Sequence, residues 1–69
     1  MDILIFKTNL TRRRLNALHR PLSDLLEGAR WNVDWEDCDR VLRIETDTVS
    51  ATTVETYLRT EGVHCEELL

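Results

Sequence analysis

The sequence predicts a two-layer α+β sandwich in which an antiparallel sheet carries two helices on one face. Three observations predict this class. Short apolar or alternating stretches are typical of strands, two longer stretches carry apolar residues at helical spacing, and 69 residues suit a single domain over residues 1–69. Because folding at this length buries only about 60% of the surface of the unfolded chain, no deep active site is expected.

The first element is a strand over residues 2–8, with sequence DILIFKT. This stretch is short and rich in large apolar side chains, which is typical of a strand that is covered on most of its surface. Since side chains alternate along a strand, Leu4 and Phe6 are predicted on one face and Ile3 and Ile5 on the other.

A helix is predicted next, with Thr11 in the position of an N-cap and Gly28 as the C-terminal stop. Pro21 falls inside the helical pattern, where it removes one backbone hydrogen bond, so we expect a kink or two short helices end to end. The residues that recur at helical spacing are Leu15, Leu18, Leu22, Leu25 and Leu26.

A hairpin follows the first helix. Residues 31–37 alternate apolar and polar side chains, the period of a strand with one buried face. Residues 40–46 resume the alternation after a turn at residues 36–39, so the two strands are predicted to pair. The predicted buried face carries Trp31, Val33, Trp35, Leu42 and Ile44, and the opposite face carries Val41, Arg43 and Glu45.

The last elements are a second helix and a short strand. Ser50 is the expected N-cap, Val49 and Val54 have the spacing of a hydrophobic staple, and Gly62 is expected to end the helix. The alternation in residues 63–68 predicts the final strand.

The resulting order, strand, helix, strand, strand, helix, strand, is that of a split βαβ or ferredoxin-like βαββαβ arrangement. Both helices need to bury one apolar stripe, so they are predicted to cover the same face of the sheet and to leave the other open. Ile3, Ile5 and Val41 are expected on the open face, where they make a homodimer interface one possible use of it.

Composition limits the classes of partner and the location. The net charge is −4, and the first 30 residues carry six cations and three anions, whereas the remainder carries three cations and ten anions. No aromatic residue is interleaved with the basic run and the rest is acidic, so no nucleic acid is expected. No apolar run approaches the roughly 20 residues needed to cross a bilayer, so no membrane partner is expected. The absence of a signal-like start and of a cysteine framework predicts a cytoplasmic protein with free thiols.

The sequence gives no sign of catalysis. No Ser or Cys can be placed beside a His and an acid from the sequence alone, and no glycine-rich phosphate loop is present. A non-enzymatic protein without a cofactor is therefore predicted.

The stretch WNVDWEDCDRVLRIET resembles the VxVDLE…VxVE hairpin of the heavy-metal-associated domain, a small module of copper chaperones and metal-pumping ATPases. VETYLRTEGVHCEEL is similar to that family's second helix and last strand. The resemblance implies a ferredoxin-like fold and points to the family's Met-x-Cys-x-x-Cys metal loop after the first strand. Here that loop has Asn9, Thr11 and Arg14 at the methionine and cysteine positions, which indicates a degenerate member that has lost its soft-metal ligands.

The same loop leads into three consecutive cations, Arg12, Arg13 and Arg14. A helix start already carries partial positive charge, so arginines in the first turn need another explanation. One alternative is neutralisation by Glu36, Asp37 and Asp39, because the predicted topology brings the hairpin turn to the same end of the sheet. The other is a site for an anion, either an acidic surface of a protein partner or a phosphate-bearing ligand.

Two function hypotheses follow. The first is an interaction module with a metal-chaperone-like fold that binds an unidentified protein partner through Arg12, Arg13 and Arg14. The alternative is a copper or zinc carrier with displaced ligands, Cys38, His64 and Cys65, with Asp37 or Asp39 as an oxygen donor.

Overall fold

The computed structural model describes residues 2–68, which form four strands and two helices. The sheet has the order β2-β3-β1-β4, and each neighbouring pair of strands is antiparallel. The predicted small α+β class is therefore confirmed. The elements are β1 (Asp2–Thr8), α1 (Arg12–Leu25), β2 (Arg30–Asp34), β3 (Val41–Thr46), α2 (Ala51–Thr60) and β4 (Cys65–Glu67).

One face of the sheet and the apolar stripes of both helices share a single core. Phe6 from β1 and Leu42 and Ile44 from β3 are fully buried, as their alternation predicted. Trp31 and Trp35 were also predicted on this face, but they are only half-buried and pack at the margin of the core. The helices and loops contribute further buried residues, namely Leu10, Leu18, Leu22, Leu26, Val54, Leu58 and Val63.

The opposite face of the sheet mixes apolar and charged side chains. Ile3 is 50% exposed, and Ile5 and Val41 are half-buried. Ile3 lies opposite Glu45 and Ile5 lies opposite Arg43 in the pairing of β1 with β3. The apolar residues predicted on this open face are present there, but charged neighbours separate them.

Helix α1 continues through Pro21 as one element, so the expectation of two short helices is wrong. A proline in a helix interior costs about 3 kcal/mol. Leu18 and Leu22 flank Pro21 and are both buried, and each contributes about 1.5–3 kcal/mol when removed from water. Because the proline is exposed and its neighbours anchor both sides, packing outweighs the missing hydrogen bond.

The predicted helix caps are confirmed. The Thr11 side chain accepts a hydrogen bond from the Arg14 N–H at 3.0 Å, and the Ser50 side chain accepts one from the Thr53 N–H at 3.2 Å. Gly62 follows α2 with a φ of +79°, the left-handed conformation that glycine adopts without a steric penalty. These local signals therefore set the helix boundaries.

Three connections meet at one end of the sheet, which we call the connecting end: the loop after β1, the β2–β3 turn and the loop before β4. The Thr8 N–H donates to the Asp39 carbonyl at 3.0 Å, and the Asn9 N–H donates to the His64 carbonyl at 3.3 Å. The His64 N–H in turn donates to Asn9 Oδ1 at 2.9 Å. The sequence predicted that the hairpin turn and the loop into α1 lie at one end, and this arrangement brings the basic start of α1 beside the acidic turn.

Candidate functional site

Thr8 fixes the β2–β3 turn against the loop that leads into α1. It is only 5% exposed, and its hydroxyl donates to the Arg40 carbonyl at 2.7 Å while it accepts from the Leu10 N–H at 3.2 Å. This buried hydroxyl therefore has both its donor and an acceptor lone pair satisfied within the protein. The backbone of Arg40 is therefore anchored to the end of β1 by the Thr8 hydroxyl.

Arg40 has a left-handed backbone, with a φ of +44°. For a residue with a Cβ this conformation costs about 1–2 kcal/mol, so the surrounding contacts must hold it. Its carbonyl is bound by Thr8, and its N–H donates to the Asp37 carbonyl at 3.0 Å. The Arg40 guanidinium reaches back to the Asn9 carbonyl at 3.5 Å, which places this cation at the connecting end.

Arg12 lies over the indole ring of Trp35, with 5.1 Å between the guanidinium carbon and the ring centroid. This is the geometry of a cation–π contact, which contributes about 0.5–1 kcal/mol at an exposed site. A shallow depression at this point is lined by Thr11, Arg12, Trp35 and Arg40. It therefore combines two arginines and one tryptophan with the N-cap residue of α1.

Arg14 has a different role. Its guanidinium donates a hydrogen bond to the backbone carbonyl of Glu61, the C-cap residue of α2. The carbonyls at a helix end are unpaired within the helix and carry partial negative charge. One of the three cations at the start of α1 therefore stabilises the end of α2, a role that no sequence pattern predicts.

The Arg13 side chain is exposed and makes no ion pair, hydrogen bond or ring contact with another residue in the described range 2–68. Within that same range, no ion pair joins any of the three arginines to the acidic turn. Asp39 instead pairs with Lys7 at 3.6 Å. The neutralisation that the sequence suggested is thus not formed by direct contacts.

The acidic turn uses its carboxylates for its own backbone. Asp34 Oδ1 accepts from the Glu36 N–H at 3.1 Å, and Asp37 Oδ1 accepts from the Asp39 N–H at 2.8 Å. Such Asx turns are a common reason for aspartates in a tight connection. The abundance of acidic residues at 34–39 therefore has a local structural cause.

The proposed metal ligands divide into two groups. Potential ligand atoms of Asp37, Cys38 and Asp39 lie within 4.8 Å of one another, and among residues 2–68 neither His64 nor Cys65 joins them. The sheet order explains the separation, because β1 lies between β4 and the hairpin strands. Cys38 and the 64–65 pair therefore lie on opposite sides of β1.

Cys65 is fully buried in the core. Burial raises the pKa of the Cys65 thiol to about 11, and the negative charge of Glu55 adds to the effect. Metal binding by cysteine requires the thiolate, so this pKa makes Cys65 a poor ligand at neutral pH. Its position in the core matches the usual role of a free cysteine as a small apolar residue.

Trp31 and Trp35 line a groove between α1 and β2 together with Leu15 and His19. The His19 ring lies 5.3 Å from the Trp31 ring between centroids. Arg12 and His19 are thus two polar residues of α1 that each cover one tryptophan, with Leu15 on the same helix face. Leu15 follows Arg12 by three residues and precedes His19 by four, and this spacing along one helix face is visible in the sequence and was a signal for this arrangement.

Comparison with known proteins returned no matching family model and no curated protein with significant similarity. Within residues 2–68, neither helix is long and apolar enough to cross a membrane.

Proposed function

We propose that this protein is a non-enzymatic interaction module that binds an acidic segment of a protein partner at the connecting end. The binding residues are Arg12, Arg13 and Arg40, with Trp35 as the aromatic floor. The observation that carries the proposal is the Arg12–Trp35 contact at 5.1 Å, beside Arg40 in one depression. No carboxylate among the described residues pairs with Arg12 there.

The geometry suits a carboxylate ligand. A guanidinium stacked on a ring keeps the N–H groups at its edge available, and these bind a carboxylate in a bidentate manner. Arg13 adds an exposed charge one residue along, and the start of α1 adds its own partial positive charge. Since the whole chain has a net charge of −4, this positive region stands out against a negative surface.

We also propose that the chain has a ferredoxin-like arrangement and is a degenerate relative of the heavy-metal-associated domain. The strand order β2-β3-β1-β4, with a helix after β1 and another after β3, supports this proposal. In the loop that holds metal in that family, Asn9 accepts a hydrogen bond from His64 and Thr11 caps α1. These two residues have structural tasks, which is consistent with a loop that no longer binds metal.

The binding test uses Trp35 as its own probe. In a Trp31→Phe background, Trp35 is the only tryptophan, so its fluorescence reports on the depression. Titration with a glutamate-rich peptide is expected to change this fluorescence, whereas a peptide with glutamine in place of glutamate leaves it unchanged. Added salt is expected to weaken the binding, because the contacts are exposed and ionic.

Two variants assign the effect to the basic residues. Arg12→Gln and Arg13→Gln are each expected to weaken peptide binding several-fold, since each removes one charge of the site. Arg20→Gln is the matched control, because Arg20 is also an exposed arginine of α1. Equal weakening by all three variants would show that only net charge matters and would contradict a defined site.

A metal carrier is the second candidate, and the observation in its favour is the proximity of Asp37, Cys38 and Asp39. Two contacts argue against a metal carrier. The Asp39 carboxylate pairs with Lys7, and the Asp37 carboxylate accepts a hydrogen bond from the Asp39 N–H. Isothermal titration with Zn²⁺ and Cu(I) separates the two functions. Sub-micromolar binding that disappears in Cys38→Ser would favour the metal carrier over the peptide-binding module.

A further inference from the structure

Strand β2 has one free edge. It stands at the end of the order β2-β3-β1-β4, so within residues 2–68 only β3 pairs with it. The backbone groups on the other edge therefore have no strand partner. Such an edge pairs readily with another strand unless charge or shape prevents it.

The hydrogen bonds of β1 show which backbone groups face which neighbour. The Leu68 N–H donates to the Ile5 carbonyl at 2.7 Å, so the odd-numbered residues of β1 direct their backbone groups toward the side of β4. In an antiparallel ladder, successive residues direct their backbone N–H and carbonyl groups to opposite neighbouring strands. The even-numbered residues of β1 therefore direct theirs toward β3. Because Phe6 lies opposite Leu42, the even-numbered residues of β3 direct their backbone groups toward β1.

The same alternation extends to β2. The odd-numbered residues of β3 direct their backbone groups toward β2, and Arg43 lies opposite Asn32. Asn32 therefore directs its backbone N–H and carbonyl toward β3, as do Arg30 and Asp34. Trp31 and Val33 direct theirs toward the free edge.

We propose that a second copy of this chain occupies this edge, by antiparallel pairing of β2 with β2 about a two-fold axis at Asn32. In this register Trp31 of each copy lies opposite Val33 of the other, and each such pair exchanges two backbone hydrogen bonds. These are the residues whose backbone groups are free. The pairing joins the two sheets into one continuous sheet and is isologous, as expected for a closed dimer.

Charge complementarity selects the second copy as the partner. The sequence of β2 is RWNVD, so the proposed register places Arg30 of each copy opposite Asp34 of the other. Both side chains are exposed, and they fall in the non-hydrogen-bonded pairs, where opposed side chains are closest. A shift of two residues in either direction places Asn32 opposite Arg30 or Asp34 and loses this pairing of charges.

The helix-facing side of β2 is also suited to pairing. Trp31 is half-buried and lies next to Val33, so each cross-strand pair joins an aromatic to a β-branched side chain. The groove between α1 and β2, lined in part by Leu15 and His19, continues beside them. This interface uses neither Arg12 nor Arg13 and goes beyond the function proposed above.

The test is a set of charge reversals on exposed positions, read by sedimentation velocity over a concentration series. Arg30→Asp places aspartate opposite Asp34 at both pairs, and Asp34→Arg places arginine opposite Arg30. Each variant alone is expected to weaken the dimer roughly tenfold or more, because like charges directly opposite are destabilising. The matched controls are Arg20→Asp and Asp24→Arg, exposed positions on α1, which are expected to dimerise as the wild type does.

Mixing gives the decisive result. An equimolar mixture of the Arg30→Asp and Asp34→Arg proteins restores opposite charges at both pairs, so a heterodimer is expected at concentrations where each variant alone is monomeric. The double variant Arg30→Asp, Asp34→Arg is likewise expected to recover the dimer. A wild type that remains an 8.1 kDa monomer at millimolar concentration overturns the proposal. So does a dimer that persists in both single variants, which would point instead to the open face at Ile3.

Hydrogen exchange of the wild type tests the register without any substitution. The amides of Trp31 and Val33 are expected to become protected as protein concentration rises, whereas the amide of Asn32 is protected at all concentrations by β3. Exchange at Trp31 and Val33 that does not depend on concentration contradicts the proposed edge.

Discussion

Arg13 and Arg14 are adjacent cations in the first turn of α1, and substitution by glutamine is expected to lower stability only at Arg14. Arg14→Gln removes the hydrogen bond from a charged donor to the Glu61 carbonyl. Such bonds contribute about 1.5–3 kcal/mol when well shielded, and since Arg14 is exposed we expect a value near 1 kcal/mol. Relief of repulsion at the helix start returns a few tenths of a kcal/mol.

The net loss for Arg14→Gln is therefore about 0.5–1 kcal/mol, which lowers the Tm by roughly 2–8 °C for a domain of this size. Arg13→Gln removes only the unfavourable interaction with the helix start, so its Tm is expected to stay constant or rise slightly. Thermal unfolding followed by circular dichroism at pH 7 measures both. A fall of similar size in the two variants would refute the assignment of separate roles.

Three further predictions concern stability. Ser50→Ala leaves the Thr53 N–H without its cap and is expected to cost about 1 kcal/mol, seen as a lower urea midpoint. Gly62→Ala is expected to lower the Tm by forcing a Cβ into a φ of +79°, although the nearest atom, on Arg14, is 4.0 Å away. The raised pKa of Cys65, about 11, keeps its thiol neutral in the folded protein while the unfolded thiol ionises near pH 9. Stability is therefore expected to fall between pH 9 and 11 by up to about 2–3 kcal/mol, and urea unfolding of Cys65→Ala should show a flatter dependence.

The elements themselves were predictable because their signals are local. Thr11 and Ser50 act through N–H groups three residues away, and the alternation of Leu42, Arg43 and Ile44 follows directly from the geometry of a strand. Pro21 led to the wrong prediction of two short helices. The cost of a proline inside a helix is a local effect that the sequence shows, whereas the burial of the leucines that offsets this cost depends on the whole core.

The site was only partly predictable. The topology brought the arginines of α1 to the connecting end, as expected. The bond from Arg14 to Glu61 spans 47 residues, and no pattern in the sequence marks it. The left-handed backbone of Arg40 depends on the buried Thr8 hydroxyl, a contact that likewise forms only in the folded chain.

The tryptophans illustrate a limit of periodicity. Alternation predicts which face of a strand a side chain is on, but not how far that strand lies from the centre of the sheet. Because β2 is an edge strand that ends at Asp34, Trp31 and Trp35 are only half-buried. Their positions beside His19 and Arg12 make them part of the surface as well as of the core.

A titration of the ¹⁵N-labelled protein with the glutamate-rich peptide, followed by NMR, tests the central proposal most directly. We predict that the largest shifts occur at the amides of Arg12, Arg13 and Arg40 and at the Trp35 indole N–H, with little change at Ile3 on the open face. Shifts that are absent, or that cluster around Ile3, would contradict an acidic-partner site at the connecting end.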